Sequence, residues 1–87
     1  HRKNEHEKAI EIFEKALLIE PNNIENQNNL ALSYAGIGKF EKAIELLEKA
    51  TNIQSKGFMY SNLALQYRNN KNIDKAIENF EKALTLE

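Results

Sequence analysis

Cysteine and tryptophan are absent from this chain, proline occurs once, and glycine only three times. Without cysteine there is no disulfide frame, no thiol nucleophile and no thiolate metal ligand. That absence fits a reducing compartment. Charge of either sign is not in excess: 12 Lys and Arg against 13 Asp and Glu leave a formal net charge of −1. Affinity for nucleic acid rests mainly on phosphate neutralisation by a basic surface, and no basic stripe occurs. An anionic membrane surface lacks support for the same reason. No apolar run approaches the roughly 20 residues of a membrane span, and no signal-peptide pattern opens the chain. The expectation is a cytoplasmic protein with no nucleic-acid and no membrane partner. Strands are not expected either, because no sustained period-two alternation is bounded by hairpin turns.

What the chain does have is one stretch written three times. It reads His6-Glu7-Lys8-Ala9-Ile10-Glu11-Ile12-Phe13-Glu14-Lys15-Ala16, recurs from Phe40 to Ala50, and recurs again from Ile73 to Ala83. The copies thus open at His6, Phe40 and Ile73, a nearly constant spacing. Self-similarity at such a period marks stacked helical units, each too small to bury its apolar face alone. With 87 residues there is room for one small domain, whose core barely offsets its ordering entropy.

Apolar spacing at i, i+3, i+4 and i+7 through Ala9, Ile12, Phe13 and Ala16 predicts a helix from about Glu5 to Ile19. Residues 1–4 read as a turn or a frayed end. Pro21 stops that helix, since proline has no N–H to continue the ladder. Further helices are expected over about 24–37, 40–53, 58–68 and 73–86. Asn23 is a candidate N-cap, and Gly38 a candidate left-handed terminal residue. In the next unit an Asn of the 69–72 turn is expected to take that conformation. Glu11 and Lys15, Glu45 and Lys49, and Glu78 and Lys82 stand four apart, an order favourable by about 0.2–0.5 kcal/mol per pair on a solvated helix face.

Gln27-x2-Leu30-Ala31-x2-Tyr34 followed by Ala43-x3-Leu47 and Ala50, then Tyr60-x2-Leu63-Ala64-x2-Tyr67 followed by Ala76-x3-Phe80 and Ala83, resembles the tetratricopeptide repeat, a helix–turn–helix unit of about 34 residues. The opening segment supplies only the second half, Ala9-x3-Phe13, Ala16 and Pro21. The resemblance implies an all-α, right-handed solenoid of antiparallel helix hairpins, about five helices in one array. Residues 1–23 would be the second half of a repeat, 24–56 a full repeat and 57–87 another. Small residues at Ala9, Ala31, Ala43, Ala64 and Ala76 let helices approach, and Phe13, Leu47 and Phe80 fill the gaps between hairpins. Departures from the pattern are Gln27 where an aromatic is wanted, and Ser55 for the turn proline in a unit one position short, which implies a looser turn there. The array begins inside a unit and has no polar capping helix after the last one. It is expected either to be part of a longer array or to pair its open ends with a second copy as a homo-oligomer.

The same resemblance implies a function: a non-catalytic scaffold that holds a protein or peptide ligand in the concave groove lined by the first helix of each unit. The groove residues are Glu25, Asn28, Asn29 and Leu32 on one helix, and Ser61, Asn62, Leu65, Arg68 and Asn69 on the next. Asn29 and Asn62 hold equivalent places in the two units, a ladder of amides suited to gripping an extended backbone; the alternative is that they bridge neighbouring helices. Phe58 has two places open to it, an apolar anchor in the groove or the core. Alternatives to the groove function are a structural spacer, a self-assembling fragment, or an RNA-binding helical repeat, the last disfavoured by the charge balance. No catalytic residue, cofactor or metal is expected. His1 and His6 share no helical face, and a zinc site needs three or four converging ligands. Gly36-x-Gly38-Lys39 fails the spacing of a phosphate loop.

Overall fold

The computed structural model describes residues 2–86, and the side chains from Asn4 onward. Five helices and no strand occur among the described residues: α1 (Arg2–Ile19), α2 (Ile24–Gly36), α3 (Phe40–Ile53), α4 (Gly57–Asn69) and α5 (Ile73–Thr85). The expected turn at residues 2–4 is instead the first turn of α1, because no proline or glycine there interrupts the helical ladder. His1 lies outside the described residues.

The local signals explain the ends. Asn23 caps α2, its Oδ1 accepting from the Asn26 N–H at 2.9 Å. Asn72 does the same for α5, accepting from the Lys75 N–H at 3.3 Å. α2 stops at Gly36, just before the expected end at Ile37. Lys39 N–H then reaches the Tyr34 carbonyl and Gly38 N–H the Ala35 carbonyl, both at 2.9 Å. This closure needs a left-handed residue, and Gly38 supplies it with φ 84°. One unit later Asn72 N–H bonds the Tyr67 carbonyl at 2.8 Å and Lys71 N–H the Arg68 carbonyl at 2.9 Å. Here the left-handed residue is Lys71, φ 66°, and none of the three Asn beside it. Register decides that: Lys71 stands one repeat after Gly38, just as Tyr67 stands one repeat after Tyr34. The turn geometry falls on that position whatever occupies it.

Substantial backbone packing joins each helix to the next in order, α1 to α2, α2 to α3, α3 to α4 and α4 to α5. That is serial stacking, in a body of 33 × 26 × 17 Å. The core runs along the seam: Leu30, Ala31 and Tyr34 of α2; Ala43, Ile44 and Leu47 of α3; Leu63 and Tyr67 of α4; Ala76 of α5. Ile10, Phe13 and Leu17 of α1 close it at one end. The core alanines are fully or almost fully buried, which is what permits the close approach. Phe80 departs from expectation. It is 36 % exposed, because no helix of the described residues covers the outer side of α5.

One polar device repeats with the packing. Tyr34 O–H donates to Glu14 Oε2 at 2.7 Å, and Tyr67 O–H donates to Glu48. Both tyrosines are buried to 8 % exposure. The Tyr34 hydroxyl is pushed up to about 12 by its bond to Glu14, then by burial and the carboxylate charge. The Tyr67 hydroxyl is pushed up to about 12 by burial first, then by its bond to Glu48. Each tyrosine ties a helix to the one stacked before it. Lys42 adds its ammonium over the Tyr34 ring, 5.8 Å from the centroid.

Elsewhere the Glu–Lys face is looser than expected. Among the described residues only Glu78 and Lys82 pair, at 3.7 Å on an open surface, where such a contact is worth little. The turn between α3 and α4 is held by side chains: Ser55 Oγ bonds the Thr51 carbonyl at 3.2 Å and the Tyr60 hydroxyl at 3.3 Å. The turn between α1 and α2 is likewise held by a side chain, with Gln27 Nε2 donating to the Pro21 carbonyl at 2.8 Å. Gln27 is buried, and its Oε1 has no hydrogen-bond partner.

Candidate functional site

α2 and α4 run side by side because α3 returns the chain between them, and their off-core faces form one surface. On α2 the spacing Glu25, Asn28, Asn29, Leu32 is i, i+3, i+4, i+7; on α4 Phe58, Ser61, Asn62, Leu65 repeats it in the next unit. Arg68 and Asn69 extend the row by one turn. Side chains on these rows therefore share a face in the way any amphipathic helix places them.

The rows differ in exposure. Glu25 and Asn29 are exposed, and Leu32 is partly so. Ser61, Asn62 and Leu65 are half-buried between the helices, while Arg68 and Asn69 stand out at the end of α4. Asn69 Nδ2 donates to the buried Gln66 Oε1 at 3.3 Å. Asn28 is buried, and its Oδ1 accepts from Asn62 Nδ2 at 3.0 Å. The hydrogen bond between side-chain amides that links the two helices is thus Asn62 to Asn28, so Asn62 bridges the helices, with Asn28 as its partner. Asn29 is exposed and its side-chain amide makes no hydrogen bond among the described residues.

Of the two places open to Phe58, groove and core, it takes the outer one. It is 50 % exposed, because Gly57 begins α4 and Met59, the next residue, takes the fully buried place. Its ring lines an open cleft of about 360 Å³ with Glu25, Asn28 and Asn29. The signal for this lay in the register of the repeat, which sets Phe58 opposite Glu25 on the outer row. Along α2 and α4 the only ionisable groups of ordinary charge at neutral pH are Glu25 and Arg68. The cleft therefore offers one aromatic face, two amides and a single carboxylate. It can hold an extended main chain through amide hydrogen bonds while an apolar side chain lies on Phe58. No group of three or more His, Asp or Glu side chains converges among the described residues, and none of their helices is long and apolar enough to cross a membrane.

Comparison with known proteins follows the same lines. Residues 1–56 match one sequence model described as a tetratricopeptide repeat, and residues 58–87 match a second of the same description. No curated protein sequence matches the chain. Among solved structures, a crystal structure of MamA is 31% identical over 93% of this chain and 48% of its own, with a TM-score of 0.85. MamA of Desulfovibrio magneticus RS-1 is 23% identical over 94% of this chain and 47% of its own, with a TM-score of 0.90. MamA of strain MSR-1 is 22% identical, covering 94% and 48%, with a TM-score of 0.89. The chain spans about half the length of each of these structures, and the likeness is one of fold.

Proposed function

The chain belongs to the tetratricopeptide repeat family, and from that premise we propose that it is a non-catalytic protein-binding module whose groove takes an extended peptide across α2 and α4. The observation that carries this reading is the cleft lined by Glu25, Asn28, Asn29 and Phe58, with a half-exposed ring beside amides. An exposed phenylalanine is an apolar anchor of the kind that dominates small interfaces. Asn29 donates to and accepts from a peptide backbone, while Leu32 and Leu65 line the middle of the groove. Asn62 holds Asn28 and sets the spacing of the two helices; Ser61 and Asn69 border the path. Arg68 at the far end favours a ligand with an acidic group there, and Glu25 favours a basic or amino-terminal group at the near end.

The test is selection of linear peptides from a random phage-displayed library on the immobilised chain. Selected peptides should bind Asn29→Ala/Phe58→Ala at least about tenfold more weakly, about 1.4 kcal/mol, with circular dichroism unchanged because both residues are exposed. Peptides that bind the double variant as well as the parent would place the site elsewhere.

A further inference from the structure

A polar hollow of about 270 Å³ opens between α3 and α5, with α4 at its back. Thr51, Leu63 and Asn79 line it while being at most 6 % exposed, so they form its floor. One repeat earlier, the places of Thr51 and Asn79 are held by Leu17 and Leu46, and both leucines pack against the core. Asn52, also on the wall, stands where the first copy has Leu18. The charged rim does not change: Glu48, Lys75, Glu78 and Lys82 repeat Glu14, Lys42, Glu45 and Lys49. Three apolar positions have thus become polar together, around one space, in a domain that has little apolar burial to lose. A sequence that departs from good packing at one place does so most often where it has a site.

The groups around the hollow state what fits. Asn79 Nδ2 donates to the Lys75 carbonyl at 2.8 Å. Its Oδ1 makes no hydrogen bond among the described residues, so an almost buried acceptor lacks a donor. Thr51 O–H donates to the Glu48 carbonyl at 3.0 Å, which leaves its own lone pairs as a second acceptor. Glu78 and Lys82 pair with each other at 3.7 Å, and the Lys82 ammonium lies over the Tyr60 ring, 5.7 Å from the centroid. Lys75 forms no ion pair among the described residues. Two ammonium and two carboxylate groups leave the lining without net charge, so a dianion or a dication meets repulsion as well as attraction. A carboxylate for Lys75 with an N–H donor close to it, for Asn79 and Glu48, satisfies both kinds of group. We propose that this hollow binds a free α-amino acid, its carboxylate at Lys75 and its ammonium at Asn79 and Glu48. The volume falls below the roughly 300–1,000 Å³ of sites for drug-sized ligands, as a single amino acid requires. The hollow shares no residue with the groove across α2 and α4 and does not depend on it.

The test is amide NMR of the intact chain titrated with each of the common amino acids, with succinate and with glucose. At least one amino acid should give saturable shifts centred on Thr51 and Asn79. Its N-acetyl and carboxamide forms should bind severalfold more weakly, since each lacks one of the two charges. Thr51→Leu/Asn79→Leu restores the residues of the preceding interface; it should keep the thermal midpoint of the parent or raise it, and bind about tenfold more weakly or worse. Lys75→Gln changes only the exposed rim, and should weaken binding severalfold whatever the leucines do to the fold. No saturable shift from any amino acid up to about 10 mM overturns the proposal, as does binding indifferent to Lys75→Gln or to the double variant. Succinate or glucose binding as tightly as the amino acid would overturn it too, by showing a hollow that takes polar molecules at large.

Discussion

Leu47 and Phe80 occupy the same place in successive units, and truncating each to alanine separates pattern from packing. By residue type alone the phenylalanine should matter at least as much, since fully buried Phe→Ala costs about 3–5 kcal/mol and Leu→Ala about 2–5 kcal/mol. The structure reverses that order. Leu47 is 0 % exposed and enclosed by α2, α3 and α4, so Leu47→Ala should lose the transfer term and leave a cavity, about 3–4 kcal/mol in all. Phe80 is about two-thirds covered, which scales a full transfer term of about 1.5–3 kcal/mol to about 1–2 kcal/mol. Its outer side opens to solvent, so no closed cavity remains, and about 1–2 kcal/mol is the expected loss. A domain of this size has about 4–13 kcal/mol of stability in total, so Leu47→Ala removes a large share and Phe80→Ala a small one. Thermal unfolding at a concentration where the chain is monomeric reads the difference. At about 4–8 °C per kcal/mol, the midpoint should fall about 15–25 °C for Leu47→Ala and about 5–15 °C for Phe80→Ala. Equal losses, or a larger one for Phe80→Ala, would refute the claim that α5 is covered on one side only.

Tyr34→Phe should lower stability by about 1 kcal/mol by removing the bond to Glu14, and Glu14→Gln should couple to it in a double-mutant cycle read by urea denaturation. Because Tyr34 and Tyr67 ionise near 12 in the fold and near 10 when unfolded, the unfolded chain loses those protons first. Stability is therefore full below pH 10 and declines as pH rises through 12. In Tyr34→Phe/Tyr67→Phe that alkaline decline should flatten. A third prediction concerns the contact of α1 with the end of α2. A Cβ on Gly36 would sit 2.4–2.7 Å from the His6 ring, so Gly36→Ala should destabilise by about 1 kcal/mol unless the ring moves away. In His6→Ala the same change should be neutral or stabilising through alanine's better helix propensity, and thermal midpoints of the four proteins show whether the sign changes.

Much of the fold was legible in the sequence because its signals are local. Asn23, Gly38 and the repeated Ala-x3-Phe stretch act within a turn or two of themselves, and α3 spans the residues its apolar period marks. The left-handed Lys71 was not legible, because local propensity favours Asn, whereas the turn's position is set by the register of the whole unit. The groove was legible as rows of residues and not as contacts. Spacing puts Asn29 and Asn62 in equivalent places, but the distance and stagger between α2 and α4 decide that Asn62 bonds Asn28. Phe58 shows the same limit: its hydrophobicity suits core or surface equally, and the outcome turns on Met59 filling the interior beside it.

By itself the order of residues determined where helices begin, where they stop, and that each unit repeats the apolar face of the one before it. Those are consequences of hydrogen-bond geometry and side-chain chemistry along a single helix. Which of three equivalent faces is buried, which glutamate meets a tyrosine, and which aromatic stays in water were decided only by the stacking. They depend on whether a neighbouring helix is present at each face, and that is a property of residues distant in the chain.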